Sequence, residues 1–537
     1  MRGRAGAAAG IAAVLALALG MAWWGRKPAE RPRPTPRMAQ PVPPPVRPPD
    51  EPPVKPPDHP PLPLPAARGW RFGDNVTPFI ERGPAGLRAA CGECHATPAP
   101  DVVVRDEWPR IMGEMKNILR LAGKPPEEAL MEEIQAYYVK HAPAAFERLP
   151  AATGAGALEF RKAVFGNEKR DEARVANVNI ADLDGDGLPE VLVCDGGGNT
   201  VSIVRGGSSG WTEEVISSCE APAHTSVFDA DGDGDLDIAV AGLGSLMPSD
   251  DLVGTVLLLV NNGATGWERR ELMTGQPRVA DVEPADVDGD GDPDLVVGAF
   301  GWRKSGYIGW LRNDGAKWEL VKIADRPGAI HVPVTDFDAD GRADFVALVS
   351  QETETITAYL NRGGTFEAKT LFEARTPLYG SSGLQLTDLD RDGDWDLLFS
   401  NGDALDNPNG TPKPYHGIQW LENRGSLVYD WHDIGRCYGP YRAVASDLDS
   451  DGDMDVAVAV LFGMWGVEGQ TGLLWYENDG KMAFVRHDIP SPSHFVTLAA
   501  GDLDGDGAPE LVTGRMTFAS SSVRGDALLK WALTKRK

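Results

Sequence analysis

One nine-residue phrase recurs seven times between residues 182 and 510, at intervals of 47 to 59 residues. It reads DLDGDGLPE, DADGDGDLD, DVDGDGDPD, DFDADGRAD, DLDRDGDWD, DLDSDGDMD and DLDGDGAPE. A period of that length is one supersecondary unit, which can bury its apolar face only against its neighbours. The chain from residue 155 onward is therefore a repeat architecture and not one layered core. After each phrase comes an apolar run such as VLV, LVV or VAV, so the acidic residues sit in turns that lead into strands.

The chemistry of the phrase is that of a hard cation held by oxygen. Carboxylates at positions 1, 3 and 5, a backbone carbonyl at 7 and an acid at 9 can wrap Ca²⁺, and glycine at position 6 permits the sharp turn. The carboxylates are Asp182, Asp184, Asp186 and Glu190 in the first copy, and Asp229, Asp231, Asp233 and Asp237 in the second. They are Asp286, Asp288, Asp290 and Asp294 in the third, Asp336, Asp338, Asp340 and Asp344 in the fourth, and Asp388, Asp390, Asp392 and Asp396 in the fifth. Asp447, Asp449, Asp451 and Asp455 form the sixth set, and Asp502, Asp504, Asp506 and Glu510 the seventh. Up to seven Ca²⁺ are implied; Mg²⁺ would demand a smaller, more rigid octahedron. An EF-hand is excluded, because position 9 runs into a strand where that motif needs a helix. The net charge of −27 follows from these loops, whose acids outnumber the whole excess. Away from them the chain is close to neutral, and a nucleic-acid partner is not implied.

The phrase D-x-D-G-D-G-x-x-[DE], an apolar strand, and then GWLRNDG, QWLENRG or LWYENDG resemble the FG-GAP/VCBS repeat, the repeat of integrin α propellers and of many secreted bacterial proteins. The likeness spans residues 155–537. Four short runs in the first repeat, VANVNIAD, EVLVCD, TVSIVRG and TEEVISS, match a four-stranded blade, so the fold expected is mainly β, a seven-bladed β-propeller. The last repeat stops one strand short, while FRKAVFG near residue 160 resembles a fourth strand, so the two ends of this region should complete one blade and close the ring. On the face opposite the acidic loops, Arg174, His224, Arg278, His331, Arg442 and His494 precede or open first strands. Phe300, Trp302, Phe462, Trp465 and the insertion 401–416 belong to the same face. Of these, His224, His331, Arg442, His494, Trp302 and Trp465 are candidates for a ligand face, taking an anionic or sugar-like ligand or a partner protein; the alternative is that the charged groups simply satisfy channel carbonyls. Cys194, Cys219 and Cys437 are an odd trio with no evident pairing.

The N-terminal side is different in kind. Residues 1–27 place Arg2 and Arg4 before a charge-free run from Ala5 to Trp24, with Arg26 and Lys27 after it. This reads as an export signal long enough to remain as a membrane anchor, with Ala16-Leu17-Ala18 or Gly20-Met21-Ala22 as the alternative cleavage sites. Residues 28–68 are a proline-rich linker, an extended spacer reaching on the order of 120 Å. Residues 69–150 contain CGECH, in which Cys91 and Cys94 lie one helical turn apart and His95 follows directly. That spacing suits two thioethers to one haem with the imidazole as iron ligand. A zinc site would need further ligands, and the next cysteine is Cys194. Met115 in WPRIMGEM is the preferred distal ligand, with Met112 as the alternative. The helix PPEEALMEEIQAYYVKHA follows, and the order resembles a minimal class I cytochrome c, a small all-α domain with one haem c. Haem attachment of this kind implies maturation outside the cytoplasm, hence a periplasmic or cell-surface location.

Two functions follow as expectations. One is an electron-transfer and binding protein that meets a redox partner and takes a polysaccharide, matrix or protein ligand. The other is a haem-linked dehydrogenase oxidising a small molecule at the propeller face. The first is preferred, because two protein ligands leave the iron no open position. No catalytic set is evident.

Overall fold

The computed structural model describes residues 83–534, apart from 92–96, 122, 147, 150–157, 168–169, 171, 208–209, 316, 352, 375, 406–412, 466–468 and 518–525. The anchor and linker of residues 1–68 lie outside the described residues, as do Cys94 and His95. Among the described residues no helix is long and apolar enough to cross a membrane.

Seven antiparallel sheets form the body of the molecule. The first blade takes its strands from Val175–Ala181, Glu190–Asp195, Thr200–Arg205 and Thr212–Ser218, matching the four runs read in the sequence. Blades two to six occupy 222–276, 279–324, 329–373, 381–436 and 440–489. The seventh combines 495–501, 510–515 and 528–534 with the early strand Glu159–Val164, which pairs from Glu159 with Thr534 to Val164 with Leu529. The first strands of successive blades touch all the way round, the seventh against the first included, so the ring is closed.

Burial explains the pattern of residues. Every second strand is buried along its whole length, as DIAVAG and DFVALV are, which is why these strands read as unbroken apolar runs. The fourth strands lie at the rim, and sequences such as WERRELMTGQ and FEAKTLFE expose charge where a further strand could otherwise add. The fourth blade departs from its neighbours. Its first strand is broken into Ala329–His331 and Val334–Thr335, because Pro333 has no N–H for the ladder.

Among the described residues three α-helices precede the ring, α1 (Leu87–Cys91), α2 (Trp108–Leu121) and α3 (Glu128–His141). Leu87, Trp108, Met112, Met131, Ile134 and Tyr138 form their core. Trp108 Nε1 donates to Pro100 O at 2.8 Å, and the Tyr138 hydroxyl to Pro98 O at 2.7 Å, so both large rings bury without an unmet donor. The buried stripe of α3 is Met131, Ile134 and Tyr138, and His141 is exposed. The helices rest on the end of the ring opposite the acidic loops. Leu378 packs into their core, Tyr415 donates its hydroxyl to Val102 O at 3.2 Å, and Leu149 N–H reaches the Tyr438 hydroxyl at 2.8 Å.

Candidate functional site

The acidic loops are alike in construction. In the first, Asp182 accepts the N–H of Gly185 and Gly187 at 2.8 and 3.0 Å, Asp186 accepts that of Leu188, and Glu190 accepts that of Leu183. Asp229, Asp286 and Asp502 repeat the first pair of bonds. The sixth-position glycines hold φ from +84° at Gly507 to +100° at Gly452, a region closed to most side chains. The carboxylates of Asp182, Asp184 and Glu190, of Asp229, Asp231 and Asp237, of Asp286, Asp288 and Asp290, and of Asp336, Asp338 and Asp344 each present oxygens within 4.8 Å of one another. The first three of these all-oxygen sets fit Ca²⁺, whereas the fourth already has cations of its own beside it.

Two features escape a reading of the phrase alone. First, a ninth-position aspartate is a staple as well as an acid: Asp237 accepts the N–H of Ala230 at 2.8 Å and that of Asn261, on the third strand, at 2.7 Å. Asp294, Asp344, Asp396 and Asp455 bond Asn313, Asn361, Asn423 and Asn478 in the same way. Burial first, with crowding by loop aspartates, raises these acids, to about 7 at Asp294 and about 8 at Asp396, against the bonds that lower them. Second, the fourth loop is already compensated. Arg362 Nη1 lies 2.7 Å from Asp338 and 3.1 Å from Asp340, and Arg342 also pairs with Asp340.

At the other end, a cavity of about 270 Å³ opens between the helices and the propeller loops. Cys91, Trp108, Met112, Met115, Met131 and Tyr138 line it from the helical side. Met112 is buried and Met115 half-buried, so both candidate distal ligands face one room with the first thiol of CGECH. Burial pushes the Cys91 thiol up to about 11, which is unlike a nucleophilic or redox-active thiolate and compatible with a structural attachment point. Cys91 and one of the two methionines would give a haem one attachment point and one iron ligand, while Cys94 and His95 lie outside the described residues.

A third cluster lies on the first strands. In every blade the pairing of the first two strands slips at the same place, resuming at Asn177, His224, Asp281, His331, Gly383, Arg442 and Thr497. Each of these stands five residues before the first aspartate of its loop. His224 Nδ1 lies 2.6 Å and His331 Nδ1 3.7 Å from Asp281, while Arg442 Nη1 is 3.4 Å from His331 Nε2. The break at Pro333 frees the Val332 N–H to bond Asp281 at 2.7 Å. Although burial opposes its charge, His224 is raised to about 9 by Asp281. Asp281, despite burial, is held well below the carboxylate range by His224 and His331, while burial and Asp281 raise Glu283 to about 7. His224, Asp281 and Glu283 also offer atoms within 4.8 Å, but the short His224–Asp281 contact and nearby Arg442 make this an ion-paired network joining blades across the axis.

The other face candidates go elsewhere. Arg174, Arg278 and His494 stand three residues earlier in register. Arg174 pairs with Glu172 at 3.0 Å, Arg278 donates to Ser245 O, and His494 sits beside Ser493 and the Trp465 ring. Trp302 lies under the Arg303 guanidinium at 4.7 Å. Among the described residues basic groups and aromatics meet pairwise, Arg278 over the Phe300 ring at 5.1 Å and His494 against Trp465 at 5.1 Å. Asp281 and Glu283 were missed by reading for basic groups; aligning the repeats on their loops brings Asp281 out. Cys194, Cys219 and Cys437 are buried and free.

Residues 182–240, 286–347, 336–399 and 447–513 match the FG-GAP-like repeat family. No curated protein matches the chain. Among solved structures it is similar to BBS1N in complex with ARL6DN, at 14% identity and a TM-score of 0.43, over 72% of this chain and 99% of that one. It is also similar to the N-terminal domain of Nup159, at 13% identity and a TM-score of 0.41, over 72% and 98%. At that distance the architecture rests on the sheets themselves. With the repeat match and the closed ring taken together, the chain is an FG-GAP-repeat, seven-bladed β-propeller.

Proposed function

We propose that this protein is an exported c-type cytochrome carried on a calcium-binding propeller, acting as an electron carrier and binding protein and not as a catalyst. The observation that carries the reading is the apolar cavity where Cys91, Met112 and Met115 meet. Cys91 and Cys94 would hold the porphyrin as thioethers, each thiol adding its sulfur and proton across a vinyl group. His95 and Met115, or Met112 in its place, would ligate the iron. Haem so held supplies one-electron transfer, and methionine raises its potential. Trp108 and Tyr138, fixed by their bonds to Pro100 and Pro98, close the room against water.

The calcium loops stiffen one end of the ring and leave the other to receive a redox partner, or a polysaccharide, matrix or protein ligand. A site outside the cytoplasm, periplasmic or at the cell surface and tethered through residues 1–27, goes with this chemistry. The visible spectrum of protein matured in a periplasm tests the reading. Reduced c-type bands that survive acid–acetone extraction are expected, and protein free of haem, or haem that extracts, would overturn it. Reduction of that haem by alcohols, sugars or aldehydes alone would move the assignment to a haem-linked dehydrogenase.

A further inference from the structure

We propose that the propeller completes the haem pocket, with Arg303 and Lys413 receiving the haem carboxylates. The inference rests on the haem reading above. The helices contribute Glu107, Arg110 and Glu114, and Arg110 is paired with Glu114 at 2.7 Å, so the helical side carries a net negative charge. A haem joined through its vinyl groups brings two carboxylates on the far side of the ring, and a dianion beside two glutamates needs cations from elsewhere.

The propeller supplies them. Arg303 and Lys413 line the same cavity from loops that lie more than a hundred residues apart in the chain. Neither is placed loosely. Asp250 Oδ1 accepts the N–H of Arg303, Lys304 and Ser305 at 2.9, 2.9 and 3.0 Å, and the guanidinium of Arg303 rests on the Trp302 ring. Lys413 is buried, its Nζ donating to Leu378 O at 2.9 Å at the contact between helices and propeller. A guanidinium presents a planar fork that matches a carboxylate, and an ammonium adds a compact second charge. Lys413 and the Trp302 loop thus serve the chain's own cofactor, and the haem becomes a joint between its two parts. Positive charge beside the carboxylates also favours the reduced haem, so the propeller sets part of the potential.

The test uses the full-length, haem-loaded protein and reads the haem midpoint potential. Arg303→Gln and Lys413→Gln should each lower the midpoint, the double variant should lower it further, and Arg303→Lys should restore most of the loss. Arg269→Gln, on an exposed fourth strand, should leave it unchanged. Arg303 is exposed, so its two variants decide the matter even if Lys413→Gln does not fold. A haem-loaded Arg303→Gln protein with the parent midpoint overturns this inference and leaves the haem reading standing. Parent protein without haem overturns both.

Discussion

At one end of the ring seven turns obey the same nine-residue rule, whereas the connections between second and third strands at the other end run from 196–199 to 402–416 and share no motif. The acidic end is under one physical constraint repeated seven times: carboxylates crowded at a tight turn must be neutralised, and the same glycine and the same backbone bonds do it each time. The opposite end needs only to return the chain to the next blade. Its loops are free to differ, and they carry the helices, the cavity and Arg303.

The largest effect that separates the ends should come from chelation. Each saturated loop is worth about 2 to 3 kcal/mol when Ca²⁺ is a hundredfold above its Kd. Removing Ca²⁺ should therefore lower the melting temperature steeply in calorimetry, and an unchanged melt would break the comparison at its root. Next comes the axis, which belongs to neither end. His224→Gln leaves Asp281 buried without its cation and should cost about 2 to 3 kcal/mol by denaturant titration, less than for a fully buried pair because His224 is 15% exposed. With His224 raised from its ordinary 6.5 to about 9, its contribution is complete below pH 6.5 and fades as pH rises through about 9. The gap between parent and variant should shrink over that range.

A smaller effect sharpens the rule at the acidic end. Asp390→Ala should remove one bound Ca²⁺ and about 2 kcal/mol of stability. Asp338→Ala should remove none, because Arg362 and Arg342 already hold the carboxylates of Asp338 and Asp340. Equal losses of Ca²⁺ would show that the arginines swing aside when the ion binds. The smallest effect lies at the irregular end. Tyr415→Phe removes the hydroxyl that reaches Val102 O and Leu378 O, and should cost about 1 kcal/mol, read as faster hydrogen exchange in the helices.

The sequence displayed the acidic end almost completely, since spacing alone located every loop carboxylate and the strand that follows it. Closure by Glu159–Val164 was legible too, from its likeness to a fourth strand. The arginines of the fourth loop were only half visible: Arg342 interrupts the phrase itself, but Arg362 arrives from a neighbouring strand end. At the axis, charge drew attention to His224, His331 and Arg442 and hid Asp281, although one register, five residues before each loop, holds all four. The cavity wall was the least legible part. CGECH marks its helical side, but Arg303 and Lys413 reach it only through the folding of the ring.

The most direct measurement is the metal content of the purified protein after export, by elemental analysis. One iron and six calcium ions per chain are expected, the Asp338 and Asp340 carboxylates of the fourth loop being held by Arg362 and Arg342. Protein that is fully folded yet holds neither iron nor calcium would contradict it.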